Sequence, residues 1–237
     1  MKKTIHYNRG LTLVELLVSI SIFVLITSVT MTNYPRFSNK LSLDLLAEDV
    51  ALSLRQAQIF GSSVLGAKRS LDGQTRTFGA YGVHFEVPGP LNSADRYTYL
   101  LFADIKDGNS GARRYDGPTV SSDLLCPGPT LFPVVNECLQ KFLVSGKNKI
   151  KLLCKNFEEA EASQRVKVCD EDKSKQIAWL DILFVRPNLD AEFTIGNDNI
   201  NLVKGSGLSN VGIVLESLGG EYNKTIVVWK TGQISVE

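Results

Sequence analysis

From Leu11 to Met31 the chain is apolar at nearly every position, broken only by Glu15 and small hydroxyl residues. These 21 residues, at 1.5 Å of helix rise each, reach about 32 Å, enough to cross a hydrocarbon core. Before them stands "MKKTIHYNRG", short, polar and basic. Lys2, Lys3 and Arg9 predict that this end stays cytoplasmic and that the chain beyond Met31 lies outside. Past Pro35 the pattern changes from uniform to periodic. Leu43, Ala47, Val50, Leu54 and Ala57 recur at spacings of three and four, while Asp44, Glu48, Asp49 and Arg55 fall mainly elsewhere around the helix. Gly61 is the expected stop, and Pro35 is expected to disturb the helix locally.

The period then shortens to that of strands. "TFGAYGVHFEV" (77–87) and "RYTYLLFAD" (96–104) are aromatic and β-branched, with the turn-rich "PGPLNSAD" between them. "IAWLDILFV" (177–185), "AEFTIG" (191–196), "VGIVLES" (211–217) and "KTIVVWK" (224–230) follow. Thr231-Gly232 is placed to turn a hairpin between Val228 and Ile234. A helix followed by a run of strands predicts an α+β fold, with the helix packed on an antiparallel sheet. The domains expected are a leader (1–10), a transmembrane and assembly helix (11–33), an amphipathic second half of that helix (34–61) and a β-rich head (62–237).

Glu15 is the anomaly, because a charge deep in a bilayer costs about 2.5–3.5 kcal/mol on insertion scales. A secretory signal would be cut after its apolar region, yet "SVTMTNYPRF" around Met31 offers no small-residue site. A cut after Gly10 instead leaves Leu11 as the new amino terminus and Glu15 as the fifth residue, one helical turn from a free ammonium group. The helix N-terminus adds partial positive charge that favours a carboxylate there.

"RGLTLVELLVS" strongly resembles the prepilin processing motif of type IV pilins and type II secretion pseudopilins. The resemblance rests on Arg9, Gly10, Leu11, Thr12, Leu13, Glu15 and Leu16; Leu11 departs from the Phe that more often opens the mature chain. It implies cleavage between Gly10 and Leu11 by a prepilin peptidase and N-methylation of Leu11. Glu15 would meet the amino terminus of a neighbouring subunit, since a paired carboxylate is tolerated in apolar surroundings where an unpaired one is not. The implied partners are the peptidase, other pilin or pseudopilin subunits and an inner-membrane assembly platform. The implied location is the inner membrane, single-pass, with an extracytoplasmic head that enters a filament. No enzymatic role and no cofactor are implied. The strand order further resembles the GspH/FimT-like minor pilins and pseudopilins, through "LRQAQIFGSSV", "YGVHFE", "YLLFADIKDGNSGARRYD", "ILFVRPNLDAEFTI" and "IVVWKTGQISVE". The stretch of about 117–176 departs from that pattern as an insertion, either a partner surface or a stapled loop covering a sheet edge.

All four cysteines, Cys126, Cys138, Cys154 and Cys169, lie in this stretch. None forms a C-x-x-C pair, so zinc is a poor fit. An even number in an exported head fits two disulfides, and short loop closure favours Cys126–Cys138 with Cys154–Cys169. The formal charge of +1 gives no electrostatic case for nucleic acid; loss of residues 1–10 takes it to −2, by removing Lys2, Lys3 and Arg9. Arg113, Arg114, Lys147, Lys149 and Lys151 are the local basic groups, too few for a phosphate-binding face, and the three lysines read as the solvent side of a strand. A DNA- or surface-binding minor pilin is thus the second reading. His6 lies in the leader, so His84 is the lone mature-chain histidine, expected to be structural or solvent-facing. There is no G-x-S-x-G, P-loop or G-x-G-x-x-G. Asp104, Asp107, Asn109 and Asp116 form an oxygen-rich stretch, the one calcium candidate, but their spacing is not that of an EF-hand loop.

Overall fold

The computed structural model describes residues 12–63, 66–68, 75–77, 80–88, 95–104, 114–115, 117, 120, 126, 137–144, 146, 148–156, 165–185, 187, 190–196, 203–204 and 207–237. Helix α1 is Leu13–Ser62 and is helical through Pro35. The chain divides into two units, Met1–Asn39 and Lys40–Glu237.

In the first unit the apolar side chains face outward: Leu13, Leu16, Phe23, Leu25 and Met31 are each more than half exposed. By length and composition α1 can cross a membrane. Its hydroxyls do not obstruct that. Ser19 Oγ donates to the Glu15 carbonyl at 2.8 Å, Ser21 Oγ to Leu17 at 2.8 Å and Thr27 Oγ1 to Phe23 at 2.9 Å. Each donor is thereby satisfied within the helix, as an apolar solvent requires.

The second unit holds the periodic half of α1 and the strands. β1 (Gly66–Lys68) and β2 (Thr75–Thr77) pair with each other. A six-stranded sheet contains β3 (Ala80–Glu86), β4 (Thr98–Ala103), β5 (Cys138–Leu143), β8 (Trp179–Val185), β9 (Ala191–Gly196) and β10 (Val203–Lys204), in the order β10-β9-β8-β3-β4-β5. A five-stranded sheet contains β6 (Lys149–Lys155), β7 (Gln176–Ile177), β11 (Asn210–Glu216), β12 (Asn223–Trp229) and β13 (Ile234–Val236), in the order β13-β12-β11-β6-β7. Every pairing is antiparallel. Val228 stands opposite Ile234 across the last hairpin, whose Gly232 takes φ +82°. The α+β class is as the pattern predicts, but the strands form two principal sheets rather than one.

One core joins these elements. Leu43, Leu46, Ala47, Val50, Leu54 and Ala57 of α1 are buried in it with Val83 and Phe85 of β3, Leu180, Ile182 and Phe184 of β8, Ile150 and Leu153 of β6, and Ile213 and Leu215 of β11. Burial of the valine, leucine, isoleucine and phenylalanine side chains among them contributes about 1.5–3 kcal/mol each. Polar ties fix the helix against the strands: Ser53 Oγ lies 3.1 Å from the Tyr99 hydroxyl, and Gln58 Nε2 donates to the Gly232 carbonyl at 3.2 Å. Burial raises the Tyr99 phenol to about 12, so it serves as a neutral hydrogen-bonding group.

Two boundaries differ from the sequence expectation. Gly61 is inside the last turn of α1, where a Cβ would come within 2.6 Å of the Phe184 carbonyl oxygen. Its value is close approach rather than termination. The apolar run 177–185 is split at Ala178: Ile177 pairs with Leu153 in the five-stranded sheet, while β8 belongs to the six-stranded one. Uniform hydrophobicity cannot show where a strand changes sheets.

The stretch 117–176 also has more to do than cover an edge. It supplies β5 at the margin of one sheet and β6, beside β11, in the interior of the other. α2 (Arg165–Glu171) also falls within it. Tyr115, Val120, Cys126 and Cys138 pack over Ala80, Leu100, Phe102 and Leu183, on the side of the six-stranded sheet away from α1. That cover is why β3 and β4 are buried at every position instead of alternating.

Candidate functional site

The first turn of α1 carries the motif that marks the amino terminus. The Glu15 N–H faces Thr12 Oγ1 at 3.3 Å, and the Thr12 N–H faces Glu15 Oε2 at 3.5 Å. This reciprocal pair is a capping box, satisfying two donors that a helix start leaves open. Thr-x-x-Glu before an apolar run is the sequence signal for it, and it gives Glu15 a local partner within its own chain. Glu15 is exposed in this unit. Gly10 and Leu11 lie outside the described residues.

The cysteines are joined as Cys126–Cys138 and Cys154–Cys169, with Cα separations of 5.6 and 6.2 Å. The first bond holds Cys126 beside the start of β5. The second ties α2 to β6, where Cys154, Cys169, Leu152, Val214 and Val227 form a small apolar cluster. Of the basic residues, Lys149 is 2.7 Å from Glu216, and Lys151 is 2.5 Å from Asp170 and 3.8 Å from Glu216. They sit at alternate positions on β6, each beside a carboxylate. Arg113 and Lys147 lie outside the described residues, as do Asp107, Asn109 and Asp116. Asp104 is buried, with its N–H on the Ala80 carbonyl. Among the described residues, no three His, Cys, Asp or Glu side chains are grouped to hold a metal ion.

Two apolar strands each carry charge into the interior, and these charges meet. His84 and Glu86 lie two apart on β3, on the side away from α1, and Asp181 of β8 stands opposite His84. His84 Nδ1 is 2.5 Å from Asp181 Oδ1, and Nε2 is 3.8 Å from Glu86 Oε2. The second Asp181 oxygen accepts the Tyr115 N–H at 3.0 Å, and Glu86 Oε2 accepts the Val120 N–H at 3.0 Å. The rings of Tyr115 and Trp179 flank the imidazole, with centroids at 4.7 and 6.5 Å. Burial pushes the imidazole toward neutrality. The charge and hydrogen bond of Asp181, with Glu86 adding to them, more than offset this and raise it from 6.5 to about 9. His84 is therefore an imidazolium between two carboxylates at neutral pH.

The expectation of a structural histidine left out its partners. The legible signal was a charge in each of two otherwise apolar strands, His84 and Glu86 in "YGVHFEV" and Asp181 in "IAWLDILFV". Buried charges need partners, so these were candidates for each other. The cluster has an acid, a base and hydrogen bonds, but both carboxylates are engaged with backbone amides and the imidazole is enclosed.

Residues 5–31 match the family described as the prokaryotic N-terminal methylation motif. No curated protein and no solved structure matches the chain. The motif, with the apolar helix behind it and the antiparallel sheets of the head, supports the class of type IV pilin-like and pseudopilin subunits.

Proposed function

We propose that the chain is a GspH/FimT-like minor pilin or pseudopilin, a structural subunit of a type IV pilus or type II secretion filament. A prepilin peptidase cuts it between Gly10 and Leu11 and methylates the Leu11 amine. The mature chain sits in the inner membrane with its head outside, and an assembly platform draws it into the filament through α1. The observation that carries this reading is the methylation motif over residues 5–31, leading into a helix whose first turn holds the single carboxylate Glu15. Release of the leader supplies a free amine, and Glu15 exchanges its contact with Thr12 for the amine of a neighbouring subunit. The pairing of these charges then selects the register of the stacked helices.

The head supports a structural part. Its strongest polar cluster is enclosed, and Lys149 and Lys151, two of the cations on which DNA binding would draw, are held by Glu216 and Asp170. The test is fractionation of cells producing the full chain. It should co-sediment with sheared filaments when the prepilin peptidase is active and remain in the membrane when the peptidase is deleted. Equal recovery in the filament fraction from both strains would overturn the proposal.

A further inference from the structure

The head's part of α1 carries a second apolar stripe, on the face its core stripe does not use. Leu45, Leu52 and Ile59 are each more than half exposed and Leu41 nearly half, whereas Leu43, Val50, Leu54 and Ala57 are buried. The first three stand seven residues apart, and Leu41 lies four before Leu45. Seven residues bring a helix back to within about 20° of the same direction, so these side chains line one side at the spacing of a coiled-coil seam. A row of large exposed apolar side chains marks an interaction surface. The seam is interrupted twice, and each time by a charge. Three residues beyond Leu45 and Leu52, where further apolar positions would fall, stand Glu48 and Arg55, both exposed.

Other polar residues of this segment are tied to the head. Asp44 lies 3.3 Å from Lys224, Ser53 Oγ lies 3.1 Å from the Tyr99 hydroxyl, and Gln58 donates to the Gly232 carbonyl. Glu48 and Arg55 are not. Among the described residues, neither forms an ion pair or a side-chain hydrogen bond. They too are seven residues apart, about 10.5 Å along the helix axis.

A matching partner would offer an apolar row with the opposite charges at the same interval. This helix is itself such a partner. Two copies held in one membrane by the same end run in the same direction, so the pair is parallel. Set flush, it would place Glu48 against Glu48 and Arg55 against Arg55, like charge on like. Moved along by one heptad, it keeps the apolar rows together, Leu45 facing Leu52 and Leu52 facing Ile59. The same shift brings Glu48 of one copy beside Arg55 of the other.

We propose that the exposed stripe of α1 docks a second copy of this chain, parallel and displaced by one heptad, with the Glu48–Arg55 pair selecting that displacement over the flush one. The inference rests on the filament-subunit reading above and names the residues that set the register of neighbouring heads. A displaced pair is not closed. One Glu48 and one Arg55 remain for further copies on the flanks of the stripe, as an open-ended assembly requires.

The test is oxidative cross-linking of the full chain in sheared filaments. All four native cysteines are in disulfides, so introduced thiols are the only free ones. Leu45→Cys combined with Leu52→Cys should give a dimer joined between positions 45 and 52. Neither single variant should, because displaced copies hold identical residues about 10.5 Å apart, beyond the reach of a disulfide. A second measurement leaves the stripe intact. Glu48→Arg or Arg55→Glu alone should lower recovery in the filament fraction at least about fivefold, since each sets like charges together, and the two combined should restore it. Dimers in the single cysteine variants, or a double reversal no better than either single one, would overturn the proposal. So would a double cysteine variant that reaches the filament without cross-linking, which leaves the filament-subunit reading standing. A wild-type chain absent from filaments would overturn both.

Discussion

A chain carrying Glu15→Gln is expected to lose its leader as the wild type does, yet to be recovered in sheared filaments at less than about a tenth of the wild-type level. Glutamine has nearly the same shape and keeps an oxygen that can accept the Thr12 N–H, so the first turn of α1 stays capped. Only the charge is gone. An ion pair about 4 Å apart at an effective dielectric constant of about 20 is worth about 4 kcal/mol, and each 1.4 kcal/mol is about tenfold in an equilibrium. Even partial loss therefore exceeds tenfold. Thr12→Val does the reverse, removing the cap while leaving the charge. A lost N-cap costs about 1 kcal/mol, so its recovery should fall by less than that of Glu15→Gln. If Glu15→Gln assembles normally and Thr12→Val does not, Glu15 is a helix cap and not an assembly charge.

The second large effect belongs to the head. Asp181→Ala should destabilise it by about 3–5 kcal/mol, the usual cost of breaking a buried ion pair from one side. The substitution takes the nearest counter-charge from His84 and the acceptor from the Tyr115 amide together. Urea unfolding followed by tryptophan fluorescence should show a lower midpoint with a similar slope. Trp179, whose ring flanks His84, places a reporter at the cluster. Asp181→Leu combined with His84→Leu should recover part of the loss, because the two charges of the closest pair leave together, and only part, because Glu86 loses the imidazolium that faces it. Because the folded pKa of His84 is raised, its contribution is fully present below about pH 6.5 and is lost as pH rises through about 9. The wild-type advantage over Asp181→Ala should shrink across that window. A cost below about 1 kcal/mol, with no pH dependence, would place the cluster among ordinary surface polar contacts.

Much of this molecule could be read before its coordinates. The membrane-length run, the helical stripe from Leu43 to Ala57 and the hairpin at Thr231-Gly232 are local patterns with fixed periods, and each has its structural counterpart. The division of strands between two sheets was not legible. Ala178 is flanked by apolar residues on both sides, and only long-range pairing decides that Ile177 meets Leu153 while Leu180 meets Phe85. The same holds for 117–176. Without register, β6 looks like a basic surface strand, whereas its Ile150 and Leu153, brought to one face by a bulge between them, are buried in the core. At the sites, the Thr12–Glu15 box was present in the spacing. The His84–Asp181 pair was present only as two misplaced charges 97 residues apart, whose meeting is a product of sheet register.

The central claim concerns where the mature chain begins. Intact-mass and amino-terminal peptide analysis of protein taken from its native membrane decides it. The account predicts a chain that starts at Leu11 and carries one added methyl group on its amine. A chain still starting at Met1 in cells with an active prepilin peptidase, or one cut beyond Met31, would contradict it and leave Glu15 without the amine it is proposed to meet.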